Sequence, residues 1–333
     1  MINCAAEPIM RDKTEGTASA SIDSAETTLV NIAEQAAKAA RFALQFELEL
    51  APKPGLVDSY DPGSHPDMTM EMFYNSAKTL EPFFASYWLI GATHKKEEIF
   101  PALRSLGLEA EAAMIQATGG KNTHKGAHFC FALVLAAASY GRCHNQRALP
   151  AAELERLDRV AGILSFVPSI TGNLVTGDLE KLKKGSDVSD LTAGERIYRD
   201  YSIGGIREEA SSGFPTITRY GLNLLESHAY AQGESICSPV GGILAGDRKL
   251  ALDYLMTLLT KINDTTLIKR GGFEGLEYAQ GVAKSYLRHE SQSPEWEEAL
   301  QSINGEFICR NLSPGGAADL LAVTHLTLSL AVL

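Results

Sequence analysis

Residues 118–126, TGGKNTHKG, concentrate cationic and hydrogen-bonding groups just before the apolar run FCFALVLAAAS. Glycine allows a ligand to approach the backbone closely, and a lysine beside it can neutralise phosphate. The segment nevertheless lacks the GxxxxGK[ST] spacing of a P-loop, and no GxGxxG sequence follows a strand. The residue types therefore indicate a connection that binds an anionic ligand, without a standard phosphate motif.

Four further segments combine glycine or proline with charged residues between predicted helices. They are APKPGLVDSYDPGSHPDM (51–68), YSIGGIREEASSGFP (201–215), NDTTLIKRGG (263–272) and NLSPGGAADLL (311–321). One such segment usually only joins two helices, but five in one chain favour a shared binding site. In the last segment Ser313 is expected to cap a helix that starts at Pro314, and such a helix start can bind an anion.

The histidines of these segments have different expected roles. His124 and His128 are four residues apart, which is metal-ligand spacing, but the glutamate of an HExxH motif is missing. We interpret His128 as a buried hydrogen-bonding residue. His124 stands beside Asn122, Thr123 and Lys125 and is expected to face the ligand, whereas His65, alone in its loop, has weaker support.

Several carboxylates also lie in these segments. Residues of this kind are usually solvated or cap helices, but carboxylates that converge would suit Mg²⁺, which binds oxygen ligands together with substrate phosphates. One of them could instead act as a general base. The carboxylates are Asp58, Asp67, Glu208, Glu209, Asp264 and Asp319.

The elements that must position these segments read as helices throughout. Apolar residues recur at helical spacing, and alternating strand patterns are scarce. We predict one large all-α domain over 24–333, with its active site built from the loops between helices, and a flexible tail over 1–23. The predicted helices are 24–50 with Ser24 as N-cap, 69–92 with a kink or restart at Pro82, 97–117, 123–141, 151–168, 193–202, 216–232, 247–263, 274–289, 294–308 and 314–332.

Composition excludes several classes of protein. The net charge of -11 argues against a nucleic-acid-binding protein. The five cysteines form no CxxC pair, which argues against a disulfide framework or a zinc site. The N-terminus has no apolar signal sequence, and the apolar segment 317–333 is short and carries Asp319 and His325, so a buried helix is expected there instead of a membrane span. A cytoplasmic protein fits best.

The five segments, in their order along the chain, resemble the triphosphoribosyl-dephospho-CoA synthase family. The matching motifs are PKPGLVD, GxHxDM, TGGxNTHKG, RxExxSGFP, DTxLxxRGG and SPGGxADLLA, and the resemblance runs from about residue 30 to the C-terminus. This chain departs from the family pattern at four positions, none of which removes a charged motif residue. They are Lys121, Glu208, Thr266 and Ala317.

The resemblance implies a reaction between ATP and 3′-dephospho-CoA. The 2′-hydroxyl of dephospho-CoA attacks the anomeric carbon of the ATP ribose, adenine leaves, and the triphosphate stays on the transferred sugar. The product is the precursor of the prosthetic group of citrate lyase or malonate decarboxylase, and a separate transferase attaches that group to an acyl carrier protein. The sequence does not distinguish the two pathways, and a homodimer stays open.

The resemblance also suggests roles for individual residues. Glu209 is the expected base, with Asp58 and Asp264 as further catalytic candidates, and Mg²⁺ is the expected cofactor. The expected metal ligands are Asp67, Glu209, Asp264 and Asp319. The expected substrate-binding residues are Lys53, His65, Gly119, Gly120, Asn122, Thr123, His124, Lys125, Arg207, Arg270, Ser313, Gly315 and Gly316.

Two other functions fit the same residues. An Mg²⁺-dependent hydrolase of N-glycosidic bonds in ADP-ribose-like nucleotides would use similar loops with water as the acceptor. A helical nucleotide-binding regulator would bind ATP without releasing adenine, although the carboxylates near the phosphate-binding residues argue against it.

Overall fold

The computed structural model describes residues 15–144, 154–173, 177, 180, 191–232 and 242–333. Over these residues the chain is helical and has no strand, which confirms the predicted all-α class. The helices are α1 (Glu15–Glu49), α2 (Met70–Thr93), α3 (Lys96–Ala117), α4 (Lys125–His144), α5 (Leu154–Thr171), α6 (Ala193–Tyr201), α7 (Ile206–Ser211), a π-helical turn (Ile217–Gly221), α8 (Leu222–Gln232), α9 (Gly242–Gly246), α10 (Arg248–Leu259), α11 (Thr265–His289), α12 (Trp296–Cys309) and α13 (Gly315–Leu330).

The N-terminal half of the core is built by α1, α2 and α4. The predicted apolar face of α1 is buried, with Ala33, Ala36, Ala40 and Ala43 at most 1% exposed. Helix α2 packs against both α1 and α4. A Cβ atom at Gly91 of α2 would lie 2.3 Å from the backbone oxygen of Ala136, so only glycine permits the observed approach of α2 to α4.

Helix α13 is the buried centre of the C-terminal half. It packs against α1, α4 and α10, and nearly every residue from Gly316 to Leu330 is buried. The prediction of a core helix in this region is therefore confirmed. No helix among the described residues is long and apolar enough to cross a membrane. The cysteines that the structure describes, Cys130, Cys143 and Cys309, are free thiols, as predicted.

One predicted helix start in the N-terminal half is wrong. Helix α1 already begins at Glu15, so Ser24 does not cap it, and residues 15–23 of the predicted tail continue the helix. The rest of that tail lies outside the described residues. Helix α2 runs through Pro82 without restarting, because its residues on both sides of the proline pack into the core.

The motif segments also contain more helix than predicted. The segment 201–215 includes α7, and most of 263–272 forms the first turns of α11. Helix α11 then bends at Gly272, whose φ of 67° and ψ of -168° are conformations that glycine adopts readily. The segments 201–215 and 263–272 are therefore partly helical, whereas 51–68 lies wholly between α1 and α2.

Candidate active site

Asp264 is the residue at which two motif segments are joined. Its fully buried carboxylate accepts hydrogen bonds from the amides of Thr266 (2.8 Å) and Leu267 (3.2 Å), which caps α11. The other carboxylate oxygen accepts the amides of Gly316 (2.8 Å) and Ala317 (3.1 Å) at the start of α13. One side chain therefore caps two helices that begin far apart in sequence.

This arrangement changes the expected roles of the residues in the segment 311–321, here called the SPGG segment. Ser313 does not cap α13, because Asp264 from another segment already occupies that position. The Ser313 hydroxyl instead lies 2.8 Å from Nε2 of His65. The amide of Gly316 donates to Asp264, and Gly315 packs against the side chain of Thr266, so this helix start is filled by protein atoms.

His65 and Arg270 connect the segment 51–68, here called the PKPG loop, to the SPGG segment. Arg270 donates from Nε to the backbone oxygen of Asn311 (2.9 Å), and its Nη2 donates to the backbone oxygen of Ser64 and to the side-chain oxygen of Asn311. Burial and the nearby charge of Arg270 lower the pKa of His65 to about 4. His65 is therefore neutral at physiological pH, and both side chains are used to join loops.

The charged amine of Lys53 forms an ion pair inside the protein. Its side chain is fully buried, and Nζ donates to Glu47 Oε1 (2.7 Å) as well as to the Glu47 backbone oxygen. Glu47 lies at the end of α1 and is itself buried. Because this amine is paired and enclosed, the expected direct contact of Lys53 with a phosphate finds no support in the geometry.

Asp58 shapes the turn that follows Lys53. Its buried carboxylate accepts the amides of Lys53 (2.6 Å), Tyr60 (2.8 Å) and Asp61 (3.4 Å). Burial raises its pKa, although these backbone hydrogen bonds oppose the shift. The turn is fixed from outside as well, because Asn304 of α12 donates to Asp61 (2.8 Å). Asp58 therefore has the contacts of a structural residue.

Asp319 lies where α13 crosses the start of α4. A Cβ atom at Gly126 would lie 1.9 Å from Asp319 Oδ2, so only glycine leaves room for this carboxylate. Burial, together with the negative charges of Asp264 and Glu47, raises the pKa of Asp319 well above its usual value. The amide of Ala127 donates to Asp319 and opposes that shift. Its surroundings therefore favour the neutral, protonated form of Asp319 over the charged carboxylate.

Glu209 reaches the same region from α7. Its carboxylate accepts the Thr216 hydroxyl (2.6 Å) and the Thr216 amide (3.1 Å). Burial raises its pKa. Burial, followed by the charges of Asp319 and Glu209, raises the pKa of the Cys130 thiol in α4. The helices that carry the two carboxylates, α7 and α13, both pack against α4. Arg207, two residues before Glu209, makes a long contact of 3.4 Å with Glu195.

The segment 118–126 is more open than the others. Gly119 and Gly120 have φ values of 61° and 89°, and nothing lies within 4 Å of a Cβ atom built on either residue. Asn122 is exposed, and its side chain accepts the amide of Lys125 (3.2 Å). The Lys125 amine pairs with Glu111 at 2.5 Å.

Lys121 connects this segment to the PKPG loop. Its amine lies 2.5 Å from the exposed carboxylate of Asp67, and this hydrogen bond lowers the Asp67 pKa. Asp67 is therefore at the rim, on the surface of the protein, and away from the enclosed carboxylates.

Two side chains in 118–126 have buried polar atoms without a partner. Thr123 Oγ1 and His124 Nε2 are enclosed, and no described residue forms a hydrogen bond with either. The other ring nitrogen of His124, Nδ1, lies 2.7 Å from the Ser76 hydroxyl. His128, as predicted, is a buried hydrogen-bonding residue, with Nε2 2.5 Å from the Tyr87 hydroxyl.

All five motif segments are therefore in contact with one another. Ser64 donates to Leu312 (2.6 Å), Asp67 pairs with Lys121, Gly205 lies against Thr265, Asp264 binds Gly316, and Asp319 contacts Gly126. Among the described residues no group of three or more His, Cys, Asp or Glu side chains is arranged to hold a metal ion by protein atoms alone.

Sequence reasoning missed Glu47, Ser76 and Thr216. Each lies in or at the end of a helix and reads there as an ordinary polar position. Glu47 could have been suspected from its place next to the PKPGLVD motif, but nothing in the sequence pairs Ser76 with His124 or Thr216 with Glu209.

Comparison with known proteins places the chain in a class of transferases. Residues 33–332 match the family described as ATP:dephospho-CoA triphosphoribosyl transferase. The chain belongs to this family, which confirms the resemblance. No solved structure matches it.

Curated relatives carry the same description in their names. A "Probable 2-(5''-triphosphoribosyl)-3'-dephosphocoenzyme-A synthase" from Streptococcus equi subsp. equi (strain 4047) is 37% identical over 288 residues, covering 85% of this chain and 92% of the relative. The 2-(5''-triphosphoribosyl)-3'-dephosphocoenzyme-A synthase of Haemophilus ducreyi is 37% identical over 305 residues, covering 89% of this chain and 88% of the relative.

Proposed function

We propose that this chain joins ATP to 3′-dephospho-CoA and releases adenine. Its product would be 2′-(5″-triphosphoribosyl)-3′-dephospho-CoA. The observation that supports this most strongly is the contact of all five motif segments with one another, because it brings carboxylates and hydrogen-bond donors from remote parts of the chain to one place. The family and the names of the relatives supply the substrates.

In the proposed reaction, the 2′-oxygen of dephospho-CoA bonds to C1′ of the ATP ribose. The bond from C1′ to N9 of adenine breaks, and its electron pair stays on adenine. The proton lost by the hydroxyl is matched by the one that adenine takes up. Displacement at an anomeric carbon develops positive charge on the sugar, which a nearby ionised carboxylate would stabilise.

Glu209 is the base that we propose. Its raised pKa and its position near Asp319 suit a carboxylate that receives a proton from an attacking hydroxyl. Thr216 would hold it in place through two hydrogen bonds. Arg207 and Lys125, each half-buried and each paired with one glutamate, could exchange that partner for the triphosphate.

Asp319 is the residue that fits Mg²⁺ best. Burial and the charges of Asp264 and Glu47 favour its neutral form, and a bound cation would offset them and stabilise the carboxylate. Mg²⁺ commonly uses one or two carboxylates together with substrate phosphates. When bound, the ion would neutralise the triphosphate. Metal ligation by Asp264 is disfavoured because four amides already donate to its carboxylate. Metal ligation by Asp67 is disfavoured because this residue lies on the protein surface and is paired with Lys121.

The cellular compartment that we propose for the reaction follows from its substrates. ATP and dephospho-CoA are cytoplasmic metabolites, so we propose a cytoplasmic enzyme. It would pass its product to a separate transferase that loads an acyl carrier protein.

Incubation with ATP, Mg²⁺ and dephospho-CoA, followed by mass spectrometry, tests the proposed function. We expect equal amounts of free adenine and of the triphosphoribosyl adduct. Adenine without adduct would favour a hydrolase, and ATP binding without adenine release would favour a regulator.

A further inference from the structure

The imidazole of His124 is held between α2 and the start of α4. The Ser76 hydroxyl of α2 lies 2.7 Å from Nδ1. The ring of Phe73, three residues earlier on α2, stands at 89° to the imidazole with its centroid 5.0 Å away. Both His124 and Ser76 are buried, with exposures of 4% and 0%.

The hydrogen bond to Ser76 determines which ring nitrogen of His124 carries the proton. The Ser76 hydroxyl is fully buried, and the described residues offer it no hydrogen-bond acceptor other than His124 Nδ1. If Nδ1–H donated to Ser76, both the Ser76 hydroxyl proton and the lone pair of Nε2 would be left without a partner, whereas donation by Ser76 leaves only Nε2–H unpaired. The arrangement with fewer unpaired groups is favoured, so Ser76 donates and Nδ1 accepts. The remaining ring proton of the neutral imidazole must then be on Nε2.

The imidazole is held in its neutral form by its surroundings. Burial, followed by the charges of Lys53 and His128, lowers the pKa of His124 to about 3. Its Nε2–H is therefore an uncharged donor. No described residue accepts a hydrogen bond from Nε2, and the hydroxyl of the neighbouring Thr123 is also enclosed without a partner.

We propose that Ser76 fixes His124 as its Nε2–H tautomer, so that this group donates a hydrogen bond to a ring nitrogen of the adenine that leaves ATP. Ser76 is then a positioning residue, and His124 is the residue that touches the substrate. The identity of the acceptor rests on the proposed function, whereas the tautomer of His124 does not.

The chemistry of the leaving group favours such a donor. As the C1′–N9 bond breaks, negative charge spreads over the adenine ring nitrogens, and a hydrogen bond to one of them strengthens in the transition state. His124 keeps its proton throughout, so the step needs no imidazolium.

The surroundings favour a base over a phosphate as the acceptor. An uncharged donor beside the Phe73 ring suits a planar, uncharged heterocycle, which loses little on transfer from water. A triphosphate would be served better by the cations of Lys125 and Arg207.

Nitrogen NMR of the free protein tests the tautomer without any substrate. The chain has 8 histidines, so the ring signals of His124 would be assigned by comparison with a His124→Gln variant. We expect a protonated Nε2 and an unprotonated Nδ1 in the wild type, and a mixture of tautomers in Ser76→Ala. A protonated Nδ1 in the wild type would overturn the proposal.

Kinetics test the role of Ser76 against a matched buried serine. Ser139 is also fully buried, and its hydroxyl has no partner among the described residues. We expect Ser76→Ala to lower kcat about tenfold, the effect of losing one hydrogen bond, with the KM for dephospho-CoA unchanged. Ser139→Ala should leave kcat unchanged, and Ser76→Thr should restore part of the loss. Equal rates in the two alanine variants would contradict the proposed role.

Substrate analogues identify the acceptor. Replacing ATP by 1-deaza-ATP, 3-deaza-ATP or 7-deaza-ATP removes one acceptor nitrogen of the ring at a time. We expect one analogue to react slowly with the wild type and to be insensitive to Ser76→Ala. If all three analogues respond to Ser76→Ala as fully as ATP does, His124 donates elsewhere, for example to a phosphate, and the proposal fails. A wild type that forms no adduct would instead remove the proposed function and leave the NMR result standing.

Discussion

Two regions of the molecule carry similar residue types, but these residues have different contacts. The first region is the segment 51–68 with the segments 263–272 and 311–321, and the second is the segment 118–126. In the first region, Lys53, Asp58, Arg270 and Asp264 have their hydrogen-bonding groups bound to other protein atoms. In the second, Gly119 and Gly120 face open space and His124 has a buried nitrogen without a partner. The difference separates motif residues whose polar groups are bound within the protein from those that are left available to a ligand.

Breaking the buried ion pair should have the largest effect on stability. Lys53→Met leaves Glu47 as a buried charge without its partner, so we expect a loss of about 3–5 kcal/mol in the free energy of unfolding. Denaturant titration measures it. The double variant Lys53→Met/Glu47→Leu should recover much of the loss. If Lys53→Met were nearly as stable as the wild type, the Lys53 amine would be free to face a ligand after all.

Removing the carboxylate that caps two helices should cause the second-largest loss in the free energy of unfolding. Asp264→Ala leaves the amides of Thr266, Leu267, Gly316 and Ala317 without their acceptor, and we expect a loss of about 2–4 kcal/mol in the free energy of unfolding.

Asp247 provides the control for this variant because it caps only α10, through the amide of Leu250 at 2.9 Å. Asp247→Ala should cost about 1 kcal/mol. Equal losses at Asp264 and Asp247 would show that Asp264 does not join α11 to α13.

The sequence was informative about the helices and about the position of the site, but less so about the division of roles. Periodic apolar residues fixed α1, α4 and α13, and the ordered motifs identified the segments that meet. The role of Asp264 could not be predicted, because the amide of Gly316 that it binds is 52 residues further along the chain. Ser76 was missed for the same reason, since its partner His124 lies on another helix.

His325 tests whether an unpartnered buried nitrogen is enough to mark a substrate contact. Neither of its ring nitrogens has a partner among the described residues, yet it lies in the core, stacked on Phe46 at 4.3 Å. We expect His325→Phe to keep full activity, in contrast to His124→Gln. A loss of activity in His325→Phe as large as in His124→Gln would remove the distinction.

His325→Phe should also change how the free energy of unfolding depends on pH. Burial and Arg156 lower the pKa of His325 to about 4, whereas the unfolded chain takes up this proton near pH 6.5. The unfolded state therefore binds more protons between these values, and stability falls as the pH drops from about 6.5 to about 4. His325→Phe lacks this contribution, so its free energy of unfolding should fall less over that range.

The rate of adduct formation in Glu209→Gln, measured in a single turnover beside its free energy of unfolding, tests the central claim most directly. The claim is that segments remote in sequence meet so that one of their carboxylates can act on the bound nucleotides. We expect the rate to fall about 100-fold or more, the size of a general-base contribution, while the protein stays folded and still binds ATP. Full turnover in this variant would contradict the account.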